Sequence, residues 1–395
     1  MTKPKVVFVD DEPRILDGLR RSLRAKRAEW DMSFAPGGEP ALELLAETNH
    51  DVIVSDMRMP GMDGGELLTR VSIHHPEVAR VVLSGHTEPE AAIRVAIAGH
   101  RFLTKPTETE TLTGVIDQLI VKTSGTHGAE ARRIAGTARA LPTLPAQVAE
   151  LSAALAAQDT DAARLPHAVS LDTGLTAKLL QLSNSAFFGT RPKNAGIAAV
   201  VTALGVPTIQ ALVTATADHW SPTTWEPETE KFLQQIWLHA VATACLVESV
   251  ASPALRPHAH AAALLQDVGA LASLAGVAAG VPHTVDLSRR SCEGVPFREV
   301  GVELMHLWGL PAPVVTAVAQ RDVPHEPAAA GLGVSCAVRV AHLLIQGTGA
   351  RDPADDTYED ELKAFLAHPQ MAARSCDWAA AAETASERAS TWLAA

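Results

Sequence analysis

The first 120 or so residues alternate between short apolar runs and stretches in which apolar residues recur every three or four positions. The runs are KVVFV, DMSFA, DVIVS, RVVLS and RFLT, and an amphipathic stretch follows each of them. The first such stretch places Ile15, Leu16 and Leu19 on one face of a helix. Repeated strand–helix units of this kind predict an α/β fold, with a doubly wound, five-stranded parallel sheet covered by helices on both faces.

The pattern changes near residue 137, after which helical patterns follow one another and are separated by Pro and Gly. This change predicts an all-α fold for the rest of the chain. Residues 122–133, KTSGTHGAEARR, have no apolar periodicity and predict a short flexible connection. We therefore expect an α/β domain at 1–121, a linker at 122–136, and an all-α domain with further C-terminal helices at 137–395.

Residues 261–281, AAALLQDVGALASLAGVAAGV, are long and apolar enough to suggest a membrane helix. Asp267 in the middle of the bilayer would cost about 2.5–3.5 kcal/mol, and Ala and Gly contribute little to insertion. Buried helices of a globular domain are the favoured interpretation. The N-terminus has no long apolar segment of the kind found in signal peptides, so we expect a cytoplasmic protein with no membrane association.

The formal charge of −12 is spread over the whole chain. Residues 1–122 hold 15 basic and 19 acidic residues, and the remainder hold 18 and 26. Neither part is basic, so no direct DNA binding is expected. The four cysteines are scattered without a CxxC spacing, which is typical of free thiols in a reducing compartment.

Polar residues stand where four of the predicted strands end. Asp10 and Asp11 follow the first strand, Asp56 the third, Ser84 the fourth and Lys105 the fifth. Since the carboxyl ends of parallel strands share one edge of the sheet, these side chains should converge there. Three carboxylates together are unfavourable without a cation, and oxygen ligands suit Mg²⁺. A carboxylate beside Mg²⁺ and a lysine can attack a phosphoryl group.

The motifs VVFVDDE, VSDMRMPGMDG, VVLSGH and RFLTKP resemble, in order and spacing, the receiver domain of two-component response regulators. The resemblance covers about the first 120 residues and implies a flavodoxin-like strand order 2-1-3-4-5. It implies that Asp56 is the phospho-acceptor, contacted by Ser84 and Lys105, with a Lys-Pro bond that is usually cis. Phe102 takes the aromatic switch position.

The same resemblance implies a bound Mg²⁺ ion. Its ligands would be Asp10, Asp11, Asp56 and the backbone carbonyl of Arg58.

The second domain resembles the HDOD domain, a helical relative of the HD metal-dependent phosphohydrolases. The resemblance runs from about residue 137 to at least 345, on LPTLP, LDTGLTAKLLQLSNSAFFG, WLHA, AALLQDVGAL and EVGVELMHLWGLP. It implies a signalling or docking module with no catalytic activity.

The HD metal-binding pattern is degenerate in this sequence. His239 matches the first ligand, Gln266 and Asp267 stand where an adjacent His-Asp pair would be, and His342 falls near the last Asp. Further histidines of many relatives are also replaced, by Phe297 and within AQRD (319–322). A neutral Gln is a poor ligand for a transition metal, so no metal is expected here and Asp267 is interpreted as a residue that hydrogen-bonds a neighbouring helix.

The sequence thus predicts a response regulator that a sensor histidine kinase or phosphotransfer protein phosphorylates on Asp56, and whose HDOD domain binds an unknown downstream protein. A homodimer is left open. One alternative is that His239, Asp267 and His342 still hold a metal, in a phosphorylation-gated phosphohydrolase or cyclic-dinucleotide phosphodiesterase. A nucleotide sensor without hydrolysis is another.

Overall fold

The computed structural model describes residues 3–85, 98–121, 127–143, 145–156, 164–184, 196–220, 225–323, 332–348, 358–373 and 376–394. Residues 122–126 of the predicted linker lie outside these ranges. The fourth helix predicted in the α/β domain also lies outside them, as does Ser185 of the LDTGLTAKLLQLSNSAFFG motif.

Five parallel strands form the sheet of the N-terminal domain. They are β1 (Lys5–Val9), β2 (Asp31–Ala35), β3 (Val52–Asp56), β4 (Ala79–Ser84) and β5 (Arg101–Thr104). Their order is β2-β1-β3-β4-β5, which confirms the predicted doubly wound sheet.

Helices cover both faces of this sheet. They are α1 (Pro13–Ser22), α2 (Gly38–Glu47), α3 (Gly64–His74) and α4 (Thr109–Ile120). Alternate residues of one strand face opposite sides, so Val6 and Phe8 join one apolar cluster while Val7 and Val9 join another. This double burial explains why the strands are continuous apolar runs.

A helix, α5 (Gly128–Thr137), lies within the segment that was predicted to be a linker. The prediction of a flexible connection is wrong for these residues, because Ala131, Ile134 and Ala135 are buried. Gly136 packs so closely that an added Cβ would lie 1.8 Å from the carbonyl oxygen of Pro76. The helix thus joins the two domains in one continuous apolar cluster.

The rest of the described chain is mainly helical. The helices are α6 (Pro145–Ala156), α7 (Arg164–Ser170), α8 (Thr173–Ser183), α9 (Ile197–Leu204), α10 (Val206–Trp220), α11 (Pro227–Val250), α12 (Arg256–Leu264), α13 (Val268–Ala278), α14 (Phe297–Trp308), α15 (Ala312–Ala319), α16 (Val334–Gln346), α17 (Tyr358–Ala367), α18 (Pro369–Ala372) and α19 (Trp378–Ala394). A three-stranded antiparallel sheet of β6 (Val285–Asp286), β7 (Ser291–Cys292) and β8 (Val295–Pro296) was not predicted, because two-residue strands leave no periodic pattern.

The apolar stretch 261–281 forms the end of α12 and all of α13, with a bend of 43° between the two helices. Most of its side chains are buried in the domain. Across the described residues, no single helix is long and apolar enough to cross a membrane, although this bent pair and one other pass that test together. The bend falls at Gln266 and Asp267, the two polar residues of the stretch.

Candidate functional site

Three predicted site residues meet at the carboxyl edge of the parallel sheet. Asp10 follows β1, Asp56 ends β3 and Lys105 follows β5. The Lys105 ammonium lies 2.7 Å from Oδ2 of Asp10 and 2.5 Å from Oδ1 of Asp56. Both carboxylates are buried, whereas the lysine side chain is partly exposed. The site is therefore a small acidic pocket with one cation at its mouth.

Lys105 keeps its positive charge in this position. Burial alone would lower its pKa, but the hydrogen bonds with Asp10 and Asp56 outweigh that effect, and the pKa is raised above its ordinary value. A fixed charge beside an Asp56 oxygen would stabilise the negative charge of a phosphoryl group added there. The Lys105–Pro106 peptide bond is cis, as the resemblance implied.

Backbone contacts fix the position of Asp56. The amide of Arg58 donates a hydrogen bond of 3.0 Å to Oδ2 of Asp56. Gly64, at the start of α3, packs against the backbone of Asp56, and a Cβ added to Gly64 would lie 2.2 Å from the carbonyl oxygen of Asp56. Asp63 caps this helix by accepting a bond from the amide of Glu66. The β3–α3 turn therefore holds the carboxylate in one orientation.

Ser84 lies on β4, the strand next to Asp56, and Phe102 lies on β5, one strand further. Ser84 ends β4 and pairs with Thr104 of β5; its hydroxyl donates to the carbonyl of Gly85 at 3.1 Å. Phe102 is only 5% exposed, and its ring packs beneath Gly99, where an added Cβ would come within 2.9 Å of the ring. The structure thus places the predicted hydroxyl at the carboxyl end of β4 and the predicted aromatic residue two positions before the end of β5.

The predicted Mg²⁺ ligands supply oxygen atoms only, from Asp10, Asp11, Asp56 and the carbonyl of Arg58. This donor set fits Mg²⁺, which needs one or two carboxylates and keeps several of its waters. As the side chains stand in the described ranges, no three acidic, His or Cys residues form a metal-binding group. Lys105 instead bridges two of the acids.

The residues of the degenerate HD pattern also come together, inside the helical domain. Nδ1 of His239 lies 3.9 Å from Oδ2 of Asp267, and the rings of His239 and His342 meet edge to face with centroids 4.8 Å apart. Gln266 is buried beside them, and neither polar atom of its side chain has a hydrogen-bond partner among the described residues. The four positions therefore form one buried polar centre.

Two guanidinium groups reach Oδ1 of Asp267. Arg321 donates from 2.8 Å and Arg290 from 2.7 Å, and Arg321 also donates to the carbonyl of Gln266 at 3.0 Å. Burial alone would raise the pKa of Asp267, but these arginines hold it well below its usual range. The cations that neutralise this carboxylate are thus arginines of the chain itself.

Asp267 occupies the N-cap position of α13, but its side chain makes no capping hydrogen bond. Of the two expected roles, capping or hydrogen-bonding a neighbouring helix, capping is wrong for α13, and the carboxylate accepts from Arg290 and Arg321 instead. Sequence reasoning had noted Arg321 only as part of AQRD, and had not identified Arg290. A guanidinium reaches a site from a distant loop, and no spacing rule marks such a contact.

Comparisons with known proteins agree with both parts of this geometry. Residues 6–117 match the response regulator receiver domain, and residues 141–324 match the HDOD domain. The chain carries a response regulator receiver domain followed by an HDOD domain. The predicted layout of the two domains is confirmed, while the boundaries at 121 and 137 stay a prediction.

Individual relatives align with the receiver domain alone. The hydrogenase transcriptional regulatory protein HoxA of Cupriavidus necator is 36% identical over 117 residues, which are 29% of this chain and 24% of HoxA. The transcriptional regulatory protein FixJ of Bradyrhizobium diazoefficiens is 30% identical over 120 residues, 30% of this chain and 58% of FixJ. The chain therefore spans less than two thirds of either relative.

Among solved structures, the signal receiver domain of an HD domain-containing protein from Pseudomonas fluorescens Pf-5 is 28% identical. It covers 30% of this chain and 95% of its own, with a TM-score of 0.29.

Proposed function

We propose that this response regulator accepts a phosphoryl group on Asp56 from a phosphohistidine of a sensor kinase or phosphotransfer protein. The Lys105 ammonium on an oxygen of Asp56 is the observation that carries this proposal. A carboxylate oxygen of Asp56 would attack phosphorus, the P–N bond would break, and the histidine nitrogen would leave with the electron pair and take a proton from water. Lys105 would then pair with the new phosphoryl oxygens.

Magnesium belongs to the same proposal. Asp10, Asp11, Asp56 and the carbonyl of Arg58 would hold the ion, which when bound would offset the charge of the incoming phosphoryl group. Asp10 already shares one cation with Asp56, so these two carboxylates are close enough to share a second.

Acetyl phosphate, with Mg²⁺, tests the assignment without knowledge of the kinase. The wild-type chain should become phosphorylated on one residue, as measured by intact mass, and Asp56→Asn should not. Asp63→Asn is the matched control, because Asp63 is an exposed acid seven residues away that caps α3. Full phosphorylation of Asp56→Asn would contradict the proposal.

We further propose that the HDOD domain acts by binding another protein and hydrolyses nothing. The support is that the guanidinium groups of Arg290 and Arg321 both contact Oδ1 of Asp267 and neutralise its charge. A divalent ion would have to displace a buried guanidinium or lie beside two of them, and both are unfavourable. Four cysteines that are all free support a reducing, cytoplasmic compartment.

Two measurements address the output. Turnover of a cyclic dinucleotide or a phosphomonoester with Mn²⁺, lost in Asp267→Ala, would establish the alternative phosphohydrolase instead. A pull-down that compares phosphorylated protein with Asp56→Ala should yield a partner that distinguishes the two. Equal recovery of every bound protein would mean that phosphorylation does not control binding.

A further inference from the structure

The HDOD domain holds the beginning of receiver strand β5. Arg101, the first residue of that strand, donates from Nη2 to the carbonyl of His306 at 2.8 Å and from Nε to the carbonyl of Leu307 at 2.9 Å. Both carbonyls lie at the end of α14, where the last backbone oxygens and the helix dipole attract a cation. One receiver side chain thus caps an HDOD helix.

Gly309 makes room for this contact. It ends α14 in the left-handed conformation, with φ of 72°, and a Cβ built on it would lie 1.5 Å from Nη1 of Arg101. An L-residue here would be strained by its backbone and would collide with the guanidinium. The glycine of the LWGLP motif therefore fits a helix end that is capped from the receiver.

A second HDOD side chain grips the same segment. Nε2 of Gln181, on α8, donates to the carbonyls of Gly99 and His100, both at 3.0 Å. Gln181 is 2% exposed, so these two hydrogen bonds lie inside the domain interface. The carbonyls of Gly99 and His100 and the side chain of Arg101 are thus hydrogen-bonded to two HDOD helices, α8 and α14.

The gripped segment leads directly into the phosphorylation site. Phe102 follows Arg101 and packs against Gly99, and Lys105, three residues further, contacts Asp56. A phosphoryl group on Asp56 would draw Lys105 to new oxygens and so pull on β5. A strand that is held at its first residue resists that pull.

We propose that the hydrogen bonds of Arg101 and Gln181 between the two domains form a latch that stabilises the unphosphorylated receiver, and that phosphorylation of Asp56 and docking of the HDOD domain oppose each other. This rests on the proposed function of Asp56. Coupling of this kind is reciprocal: whatever weakens the latch must strengthen binding at Asp56 by the same factor. The latch residues lie at the opposite end of β5 from the phosphorylation site, so they exert this effect without touching the ligand.

Beryllofluoride with Mg²⁺, a mimic of the phosphoryl group, measures the coupling in the full-length chain by calorimetric titration. Arg101→Ala and Gly309→Ala should each raise its apparent affinity at least about fivefold, the lower end of typical coupling. A gain of affinity separates the latch from a merely structural role, because a damaged fold would bind more weakly. The two substitutions act from opposite sides of one contact, so the double variant should gain little more than either alone.

Matched controls exist for both substitutions. Gly205→Ala introduces an alanine at a second helix-ending glycine, with φ of 77°, where the nearest atom to its Cβ is 3.8 Å away. Arg24→Ala removes an exposed receiver arginine. Both should leave the affinity within twofold of wild type. Equal affinities in all variants would refute the latch alone, whereas no binding by any of them would refute the phospho-acceptor role of Asp56 and the latch with it.

Discussion

Lys178→Met should stabilise the folded chain against urea. Lys178 lies on α8, one turn before Gln181, and is 4% exposed. Its ammonium sits 4.7 Å from the centroid of the Trp308 ring, and no carboxylate of the described residues forms an ion pair with it. A charged amine is thus buried with only an aromatic face for compensation.

The magnitude follows from the titration of this group. Burial, with a smaller contribution from Arg80, lowers the pKa of Lys178 from 10.5 to about 7. Since one unit of pKa corresponds to about 1.4 kcal/mol, the cost at pH 7 is about 4 kcal/mol. Met has a similar volume and no charge, and the lost contact with Trp308 offsets part of the gain. We expect a net stabilisation of about 2 kcal/mol or more at pH 7.

The sign of the pH dependence is specific to a lowered lysine pKa. Below about pH 7 the amine is charged in both folded and unfolded chains, and the full cost is present. As the pH rises from 7 to 10.5, the folded chain carries the neutral amine while the unfolded chain still binds the proton, so the cost falls. The difference between Lys178→Met and wild type should therefore be largest below pH 7, begin to fall at pH 7, and be nearly absent at pH 10.5.

Urea unfolding followed by circular dichroism, at several pH values, measures this difference. Lys231→Met is the control, because Lys231 is exposed on α11 and should change the free energy of unfolding by less than about 0.5 kcal/mol. A Lys178→Met chain that is less stable than wild type at pH 7, or a difference that does not change with pH, would refute the reasoning.

Three further substitutions probe the acidic pocket, the carboxylate of Asp267, and a buried ion pair of the helical domain. Gly64→Ala should slow phosphorylation by acetyl phosphate at least about tenfold, because the new Cβ displaces the backbone of Asp56; quantitative mass spectrometry over time measures it. Asp267→Ala should lower the free energy of unfolding by about 3 kcal/mol in urea, since it removes the carboxylate that Arg290 and Arg321 share and leaves Arg321 with Asp322 as its ion-pair partner. Glu361→Ala should lower the free energy of unfolding by a similar amount in the same assay, because Arg339, 1% exposed, loses its bidentate partner. For Asp267→Ala or Glu361→Ala, a decrease below about 1 kcal/mol would show that water replaces the carboxylate.

The receiver site was predictable because strand order determines it. Once Asp10, Asp56 and Lys105 are assigned to the ends of parallel strands, the doubly wound order brings those ends together, whatever the loops do. The sequence contains both kinds of information that this inference needs, the apolar runs and the residues that follow them. Helix α5 was not predicted from the sequence, because its buried residues include two alanines and a glycine, which contribute little to a pattern of apolar residues.

The arginines were not predictable from spacing. Arg290 and Arg321 contact Asp267 across 23 and 54 positions of the chain, and Arg101 contacts Leu307 across 206. Each comes from a different element, and each acts through a long side chain whose direction depends on tertiary packing. The resemblance to the HD enzymes indicated that His239, Asp267 and His342 lie together. It did not indicate that arginines contact Asp267.

Helix α14 connects the latch with the arginines around Asp267, and this constrains how the HDOD domain can respond. At its end, its carbonyls accept from Arg101; at its start, Arg298 lies 3.8 Å from Asp322, which pairs with Arg321. The twelve-residue helix is about 18 Å long and rigid, so movement at one end would reach the other. The neighbouring pair of Arg321 and Asp267 is buried, and a buried pair tolerates little displacement, because a partly separated charge keeps its desolvation cost and loses its attraction. Release of Arg101 is therefore less costly than deformation of the HDOD helices, and we expect the two domains to separate as rigid bodies.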